Sequence, residues 1–184
     1  MSAGTADDRI ELPAGALVML IGAAGSGKST FAARHLPLDA VLASDQLRAR
    51  LGRDEADQDI NDAVFEELQR TAADRLGSGL LTVVDATNTD WMRRSELIRM
   101  ARRHGRPAVA IVFDLPLDVC LARNRTRVRT VPAIAIRQQV EQLQRDRERL
   151  DLEGFASVWV LSSADQVDRA KVKVEGGPVP RASS

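Results

Sequence analysis

The sequence has few of the features that mark extracellular or membrane proteins. Its 184 residues contain a single cysteine, Cys120, so the chain has no disulfide framework and no cysteine zinc pattern. No apolar run approaches the roughly 20 residues that a membrane-spanning helix needs. The polar N-terminus also lacks the layout of a secretory signal. From these absences we expect one cytoplasmic domain, with no membrane segment and with enough residues for a substantial core.

Aromatic residues and lysine are scarce as well. There is no Tyr, and there are two Trp, four Phe and three Lys against 23 Arg. The net charge is zero, but residues 39–90 carry twelve acids and five arginines, whereas residues 91–137 carry eleven arginines and three acids. A basic half can face a phosphate-bearing substrate, although most of these arginines are expected on solvated helix faces.

Apolar runs alternate with segments of helical periodicity along most of the chain. The alternation predicts an α/β fold, a five-stranded and mostly parallel sheet with helices on both faces. Residues 1–9 are expected to be a flexible tail, residues 10–164 the folded domain, and residues 165–184 a charged, then Gly/Pro/Ser-rich tail that is largely disordered. The predicted strands are residues 17–21, 40–43, 80–84, 107–113 and 157–161.

A glycine-rich run between the first of these strands and a helix fits the phosphate-loop pattern G-x-x-x-x-G-K-[ST]. Glycines let backbone N–H groups turn inward around an anion, and the helix start adds its positive end. In this pattern Lys28 reaches the β- and γ-phosphates and the Ser29 hydroxyl holds Mg²⁺. We therefore predict an ATP and Mg²⁺ site formed by Gly22, Ala23, Ala24, Gly25, Ser26, Gly27, Lys28, Ser29 and Thr30.

Two acidic residues follow later strands, at the sheet edge where ligands bind in open α/β folds. Asp45 follows the second strand, with Arg48 one helical turn further on, and is the best candidate for a base; it could instead cap the following helix. Asp85 closes the third strand and is the candidate Mg²⁺ partner, with a strand-end turn as its alternative.

Four arginines alternate late in the chain, from Arg123 through Arg125 and Arg127 to Arg129. A GTPase switch would show an Asn-Lys-x-Asp guanine reader, which is missing, and Asp85 has no acidic neighbour of the kind that activates water in motor ATPases. A short chain with a late arginine cluster fits a small kinase whose lid arginines and Mg²⁺ neutralise the moving phosphate.

Several stretches together resemble the kinase module of bacterial polynucleotide kinase-phosphatases. They are residues 21–31, 44–48, 82–88, 113–116 and 120–125, in the order and spacing of that family, and the likeness covers about residues 10–162. The resemblance implies a P-loop kinase fold and transfer of the ATP γ-phosphate to a 5′-hydroxyl of RNA or DNA. By position it implies that Asp45 is the base, that Arg48 contacts the 3′-phosphate side of the acceptor, and that Arg123 and Arg127 are lid arginines.

Two features keep other functions open. The family's kinase module usually sits beside a phosphatase domain, which these 184 residues do not contain, and few aromatic residues are present to stack bases. The alternative is a stand-alone kinase acting on a small-molecule hydroxyl, such as an antibiotic, a sugar or a nucleoside-like compound. A non-catalytic nucleotide-binding partner protein is disfavoured, because it would need no base. The patterns do not predict an oligomeric state.

Overall fold

The computed structural model describes residues 9–51, 58–127 and 130–175. Within them the chain alternates between strands and helices, with short 3₁₀ turns at Leu38–Ala40 and Arg147–Leu152. The strands are β1 Arg9–Leu12, β2 Leu17–Gly22, β3 Val41–Ala43, β4 Thr82–Asp85, β5 Ala108–Phe113, β6 Ser157–Leu161 and β7 Lys171–Val174. The helices are α1 Lys28–His35, α2 Ser44–Leu51, α3 Gln58–Gly77, α4 Trp91–Arg103, α5 Leu117–Arg125, α6 Ala133–Asp146 and α7 Ala164–Arg169.

The main sheet is parallel and has the strand order β3-β4-β2-β5-β6. All residues of β2, β4 and β5 are buried, as expected for strands covered on both faces. Because the strands run the same way, their carboxyl ends meet at one edge. There the end of β2 leads into the phosphate loop, β3 leads into α2, and β4 ends at Asp85. The predicted α/β architecture is confirmed.

Alternate residues of the central strands point into two separate cores. On one face Val18 and Leu20 pack with Phe31 of α1, and residues of α5, α6 and α7 complete this core. On the other face Leu17, Met19 and Ile21 pack with apolar residues of α3 and α4 and with the end of α6. Helices thus cover both faces of the sheet and bring the starts of α1, α2 and α4 to its carboxyl edge.

The C-terminal boundary differs from the sequence prediction. Residues 165–174 were expected to belong to a tail, but most of them form the rest of α7 and β7. β7 pairs in parallel with β1, from Arg9 opposite Lys171 to Leu12 opposite Val174, in a separate two-stranded sheet. The sequence Lys-Val-Lys-Val has the period of a strand with one covered face, and β1 supplies its partner. The remaining tail residues, 1–8 and 176–184, lie outside the described ranges.

In the described part of the chain, no helix is long and apolar enough to cross a membrane. Asp90 caps α4, because its Oδ1 accepts a hydrogen bond from the backbone N–H of Met92 at 2.8 Å. Cys120 is buried in α5 as a free thiol and packs as a small core residue.

Candidate active site

The loop between β2 and α1 folds tightly, with two glycines in left-handed backbone conformations. The φ angle is +82° at Gly25 and +99° at Gly27, a region that L side chains rarely adopt. A Cβ at Gly25 would overlap the carbonyl oxygen of Cys120, so α5 packs directly behind the loop. A Cβ at Gly27 would lie 3.2 Å from Nη1 of Arg123. Glycine at these two positions therefore lets the loop take its left-handed turns while it packs against α5 and Arg123.

Contacts from distant parts of the chain fix this loop. The backbone N–H of Ala24 donates to Oε1 of Gln139 on α6 at 2.9 Å. The backbone N–H of Gly22 donates to the carbonyl of Thr87, after β4, also at 2.9 Å. The loop is therefore held from two sides before any nucleotide binds, which lowers the entropic cost of binding.

Lys28 lies inside the loop and is only 7 % exposed. Its Nζ donates to the carbonyl oxygens of Gly22 and Ala23, both at 2.8 Å, and to Oγ of Ser26 at 3.4 Å. Burial lowers the pKa of Lys28 from 10.5 to about 8, although the charge of nearby Asp85 opposes the shift. The ammonium group is thus held by neutral carbonyls, and a phosphate would give it the anionic partner that it lacks.

The lowered pKa of Lys28 predicts that the affinity for ATP falls as the pH rises above about 8. Below that pH the ammonium group is charged in the free protein, whereas above it the charged fraction falls about tenfold per pH unit. Because phosphate binding favours the charged form, calorimetric titration from pH 7 to 10 should show this decline together with proton uptake on binding. The Lys28→Met variant should show no such decline, and a flat profile in the unchanged protein would contradict the assignment.

Ser29 and Asp85 place a hydroxyl and a carboxylate group beside Lys28. The Ser29 hydroxyl donates a hydrogen bond to the Asp85 carboxylate, which is 7 % exposed. Burial raises the pKa of Asp85, and the Ser29 hydrogen bond and the Lys28 charge act against that rise. Mg²⁺ in phosphotransfer sites is usually held by one or two protein oxygens, with phosphates and water completing its octahedron. The hydroxyl and carboxylate side by side fit such an ion.

Asp45 lies in the first turn of α2 and Arg48 in its last turn, and both line the same cleft as the loop. Nη1 of Arg48 lies 3.3 Å from Oδ1 of Asp45, and Nη2 donates to Oδ1 of Asn61 on α3 at 2.7 Å. The Asp45 side chain is 61 % exposed, so its carboxylate is accessible from the cleft, while that of Arg48 is 24 % exposed. Asn61 thus helps to orient the guanidinium group beside a carboxylate that is accessible from the cleft, as a candidate base requires.

Asn124, near the end of α5, anchors the arginine-bearing segment that follows, and its side chain is buried, with the residue 6 % exposed. Both amide atoms of Asn124 bind the backbone of Val131: Nδ2 donates to the carbonyl oxygen at 2.9 Å, and Oδ1 accepts from the N–H at 3.0 Å. These two hydrogen bonds tie Val131 to the end of α5, on either side of the segment predicted to act as a lid.

The lid arginines point to different parts of the cleft. Arg123 lies beside Gly27 of the phosphate loop. Nη2 of Arg127 lies 3.7 Å from Oδ2 of Asp45 and so links the lid to the candidate base. Arg125 is exposed, and Arg129 lies outside the described residues. The structure therefore places Arg123 and Arg127 in the lining of the cleft, and their role as lid arginines stays a prediction.

All these groups line one open cleft with a volume of about 1400 Å³. A pocket for a single drug-sized ligand has roughly 300–1,000 Å³, so two substrates can fit side by side. The lining includes the phosphate loop with Arg123, and Asp45 with Arg48, and Nη2 of Arg127 lies 3.7 Å from Oδ2 of Asp45. The cleft can therefore hold a nucleotide and a second substrate together with the candidate base.

Two residues that support the site were not predicted as functional. Asn88 adopts a φ of +50°, which asparagine tolerates better than most residues, and its Nδ2 donates to the carbonyl of Leu20 at 2.8 Å. The carbonyl of Asn88 accepts from Nη1 of Arg94 at 2.9 Å. Arg94 is fully buried and donates twice to Glu153, at 2.6 and 2.8 Å. Because these partners are far apart in sequence, no local pattern indicates them.

Removing the buried guanidinium of Arg94 is expected to destabilise the fold strongly. Burial tends to lower the pKa of Arg94, but hydrogen bonds to Glu153 and Asp146 outweigh this effect and raise it. Arg94→Ala would leave both largely buried carboxylates without their cation, at a cost of about 3–5 kcal/mol. Chemical denaturation measures this loss, with exposed Arg103→Ala expected within about 0.5 kcal/mol of the unchanged protein. Equal stability of the two variants would contradict this assignment.

Comparison with known proteins agrees with the fold described above. The sequence profile of the family AAA_33, described as an AAA domain, matches residues 17–150. No curated protein matches the chain in sequence. Among solved structures, a chain of the Pnkp1/Rnl/Hen1 RNA repair complex superposes with a TM-score of 0.64 at 24 % identity, covering 76 % of this chain. This chain spans only 47 % of that one, about half its length.

Two shorter kinases match over most of both chains. A sugar kinase from a Janibacter species has a TM-score of 0.59 at 20 % identity, covering 84 % of this chain and 91 % of its own. The Mycobacterium tuberculosis APS kinase CysC, solved with AMPPNP and APS, has a TM-score of 0.53 at 19 % identity, covering 85 % and 92 %. At these identities the likeness shows the fold, which is that of P-loop kinases.

Proposed function

Since this chain is a member of the AAA domain family AAA_33, we propose that it is a kinase that transfers the γ-phosphate of ATP to a 5′-hydroxyl end of RNA or DNA. The observation that carries the proposal is the position of Asp45. Its carboxylate lines the cleft that also holds Lys28, and it is paired with one arginine of α2 and one of the lid. A nucleotide-binding module without an acceptor would need no accessible carboxylate at this point.

The residues of the cleft divide the work of phosphate transfer. Lys28 and the backbone N–H groups of the loop hold the β- and γ-phosphates, and Arg123 approaches them from the lid. Ser29 and Asp85 would hold Mg²⁺, which supplies positive charge to the phosphate oxygens. Arg127, whose Nη2 lies 3.7 Å from Oδ2 of Asp45, neutralises charge on the phosphoryl group in transit.

Asp45 would act on the acceptor. The hydroxyl oxygen of the acceptor attacks the γ-phosphorus, the bond from phosphorus to the β–γ bridging oxygen breaks, and Asp45 accepts the hydroxyl proton. Arg48, held by Asn61, is placed to bind the phosphate on the 3′ side of the attacked nucleotide. The products are ADP and a 5′-phosphorylated end.

The second candidate is a kinase for a small-molecule hydroxyl. It is favoured by the scarcity of aromatic side chains in the cleft, where the described lining includes Phe31, which is buried, and Phe65. Such a lining offers little surface for stacking several bases. The solved structures that share this fold include one named as a sugar kinase and one named as an APS kinase.

Transfer from γ-labelled ATP separates the two candidates. The protein should label a 5′-hydroxyl oligonucleotide, and the same oligonucleotide already bearing a 5′-phosphate should stay unlabelled. Failure to label the 5′-hydroxyl oligonucleotide at high protein concentration would refute the first candidate. Labelling of a sugar or a sulfate ester of a nucleotide in the same series would then favour the second.

A further inference from the structure

A second arginine lies on the acceptor side of the cleft and has no role in the chemistry described so far. Arg93, in the first turn of α4, lines the cleft together with Arg48 and Asn61. Its Nη2 donates to Oδ1 of Asp62 at 2.9 Å, and its guanidinium carbon lies 4.8 Å from the centre of the Phe65 ring. Both contacts come from α3, which therefore holds the guanidinium group in place.

The two acceptor-side arginines are anchored by consecutive residues of α3. Asn61 binds Arg48, and Asp62 binds Arg93. The side chains of Arg48 and Arg93 are 24 % and 34 % exposed, so both are half-buried and open to the cleft. The structure thus places two anchored cations in the same cleft as Asp45, held by neighbouring residues of α3.

An ordinary surface ion pair accounts for this arrangement less well. Asp62 takes one donor of Arg93, and the other N–H groups make no hydrogen bond within the described residues. A guanidinium group has five donors in a planar fork that matches phosphate oxygens. The contact with the Phe65 ring is a second anchor for that fork, which an ion pair formed only for charge balance does not require.

Resting on the proposed function, we infer that Arg93 binds the second phosphate of a polynucleotide acceptor. The first phosphate, on the 3′ side of the attacked nucleotide, lies at Arg48, and the next phosphate of the strand lies at Arg93. The residue therefore sets substrate class: it favours acceptors with at least two phosphates over nucleoside monophosphates and over neutral sugars. It touches the substrate away from the reacting atoms and takes no part in proton transfer.

Three short acceptors isolate this contact. A nucleoside 3′-monophosphate carries the first phosphate only. A dinucleotide with a 3′-hydroxyl adds a second nucleoside, and the same dinucleotide with a 3′-phosphate adds the second phosphate. The kcat/KM for transfer from ATP is measured for each acceptor, in the unchanged protein and in Arg93→Ala, Arg93→Lys and Arg99→Ala. Arg99 is an exposed arginine on the same helix, and its Nε bonds only its own helix, so it is the matched control.

In the unchanged protein, the added second phosphate should raise kcat/KM about tenfold, the size of one charge-assisted contact. Arg93→Ala should abolish this gain without changing transfer to the nucleoside 3′-monophosphate, Arg93→Lys should keep part of it, and Arg99→Ala should keep all of it. An equal loss for all three acceptors in Arg93→Ala, or no gain from the second phosphate in the unchanged protein, would refute the inference alone. If neither the unchanged protein nor any variant phosphorylates any of the three acceptors, the proposed function is refuted as well.

Discussion

Lys28→Ala is expected to lower ATP-dependent phosphate transfer by at least about 10³-fold, the cost of losing a preorganised donor to the transferred group. The side chain is buried in the loop, where carbonyl groups hold its Nζ at 2.8 Å. It is therefore already positioned where the β- and γ-phosphates would lie. The measurement is single-turnover transfer from γ-labelled ATP, with ATP binding followed separately by calorimetry.

Lys173→Ala is the matched control for this variant. Lys173 lies on β7 in the small two-stranded sheet, outside the cleft, so its removal should leave transfer unchanged. Because Lys28 is buried, circular dichroism and thermal melting must show that the Lys28→Ala protein is folded. Transfer within tenfold of the unchanged level in a folded Lys28→Ala protein would mean that the phosphate loop is not the donor site.

Asp45→Asn is expected to lower transfer by about 10²–10⁴-fold, the usual contribution of a general base, while ATP binding changes less than threefold. Asparagine keeps the shape of the side chain and can still accept a hydrogen bond from Arg48, but it cannot take the hydroxyl proton. The carboxylate is exposed in the cleft, so its loss should not destabilise the fold. Measuring kcat and the ATP dissociation constant in parallel distinguishes a base from a structural group.

The control for this variant is Asp74→Asn, an exposed carboxylate on α3 that does not line the cleft. It should behave as the unchanged protein in both measurements. If Asp45→Asn weakens ATP binding as much as it slows transfer, the residue acts as a helix cap or as an anchor for the lid through Arg127. That outcome would mean that Asp45 is not the base that accepts the hydroxyl proton.

The parts of the site that the sequence predicts are those carried by local patterns. The phosphate loop is one continuous motif, and Asp45 and Asp85 each follow an apolar run that ends at the carboxyl edge of the sheet. Parallel strand order then brings these separate segments together, because all their carboxyl ends meet at the same edge. The five strands of the main sheet were predictable for the same reason.

The parts that the sequence does not predict depend on contacts between distant residues. Gln139 binds the loop at Ala24 across 115 positions, and Arg94 binds Glu153 across 59 positions. Neither residue differs from the many other glutamines and arginines of the chain until the fold places it. The second sheet was missed because the short polar strand β7 has a pattern typical of a charged tail until β1 is placed beside it.

The central claim is that Asp45 and the phosphate loop together form a kinase for 5′-hydroxyl ends. A competition assay tests it most directly: one tube contains γ-labelled ATP, a 5′-hydroxyl oligonucleotide, gluconate and a nucleoside, each at the same concentration, and the products are separated by mass. We expect the label on the 5′ end of the oligonucleotide, with its loss in Asp45→Asn. Label on gluconate or the nucleoside with none on the oligonucleotide would contradict the claim.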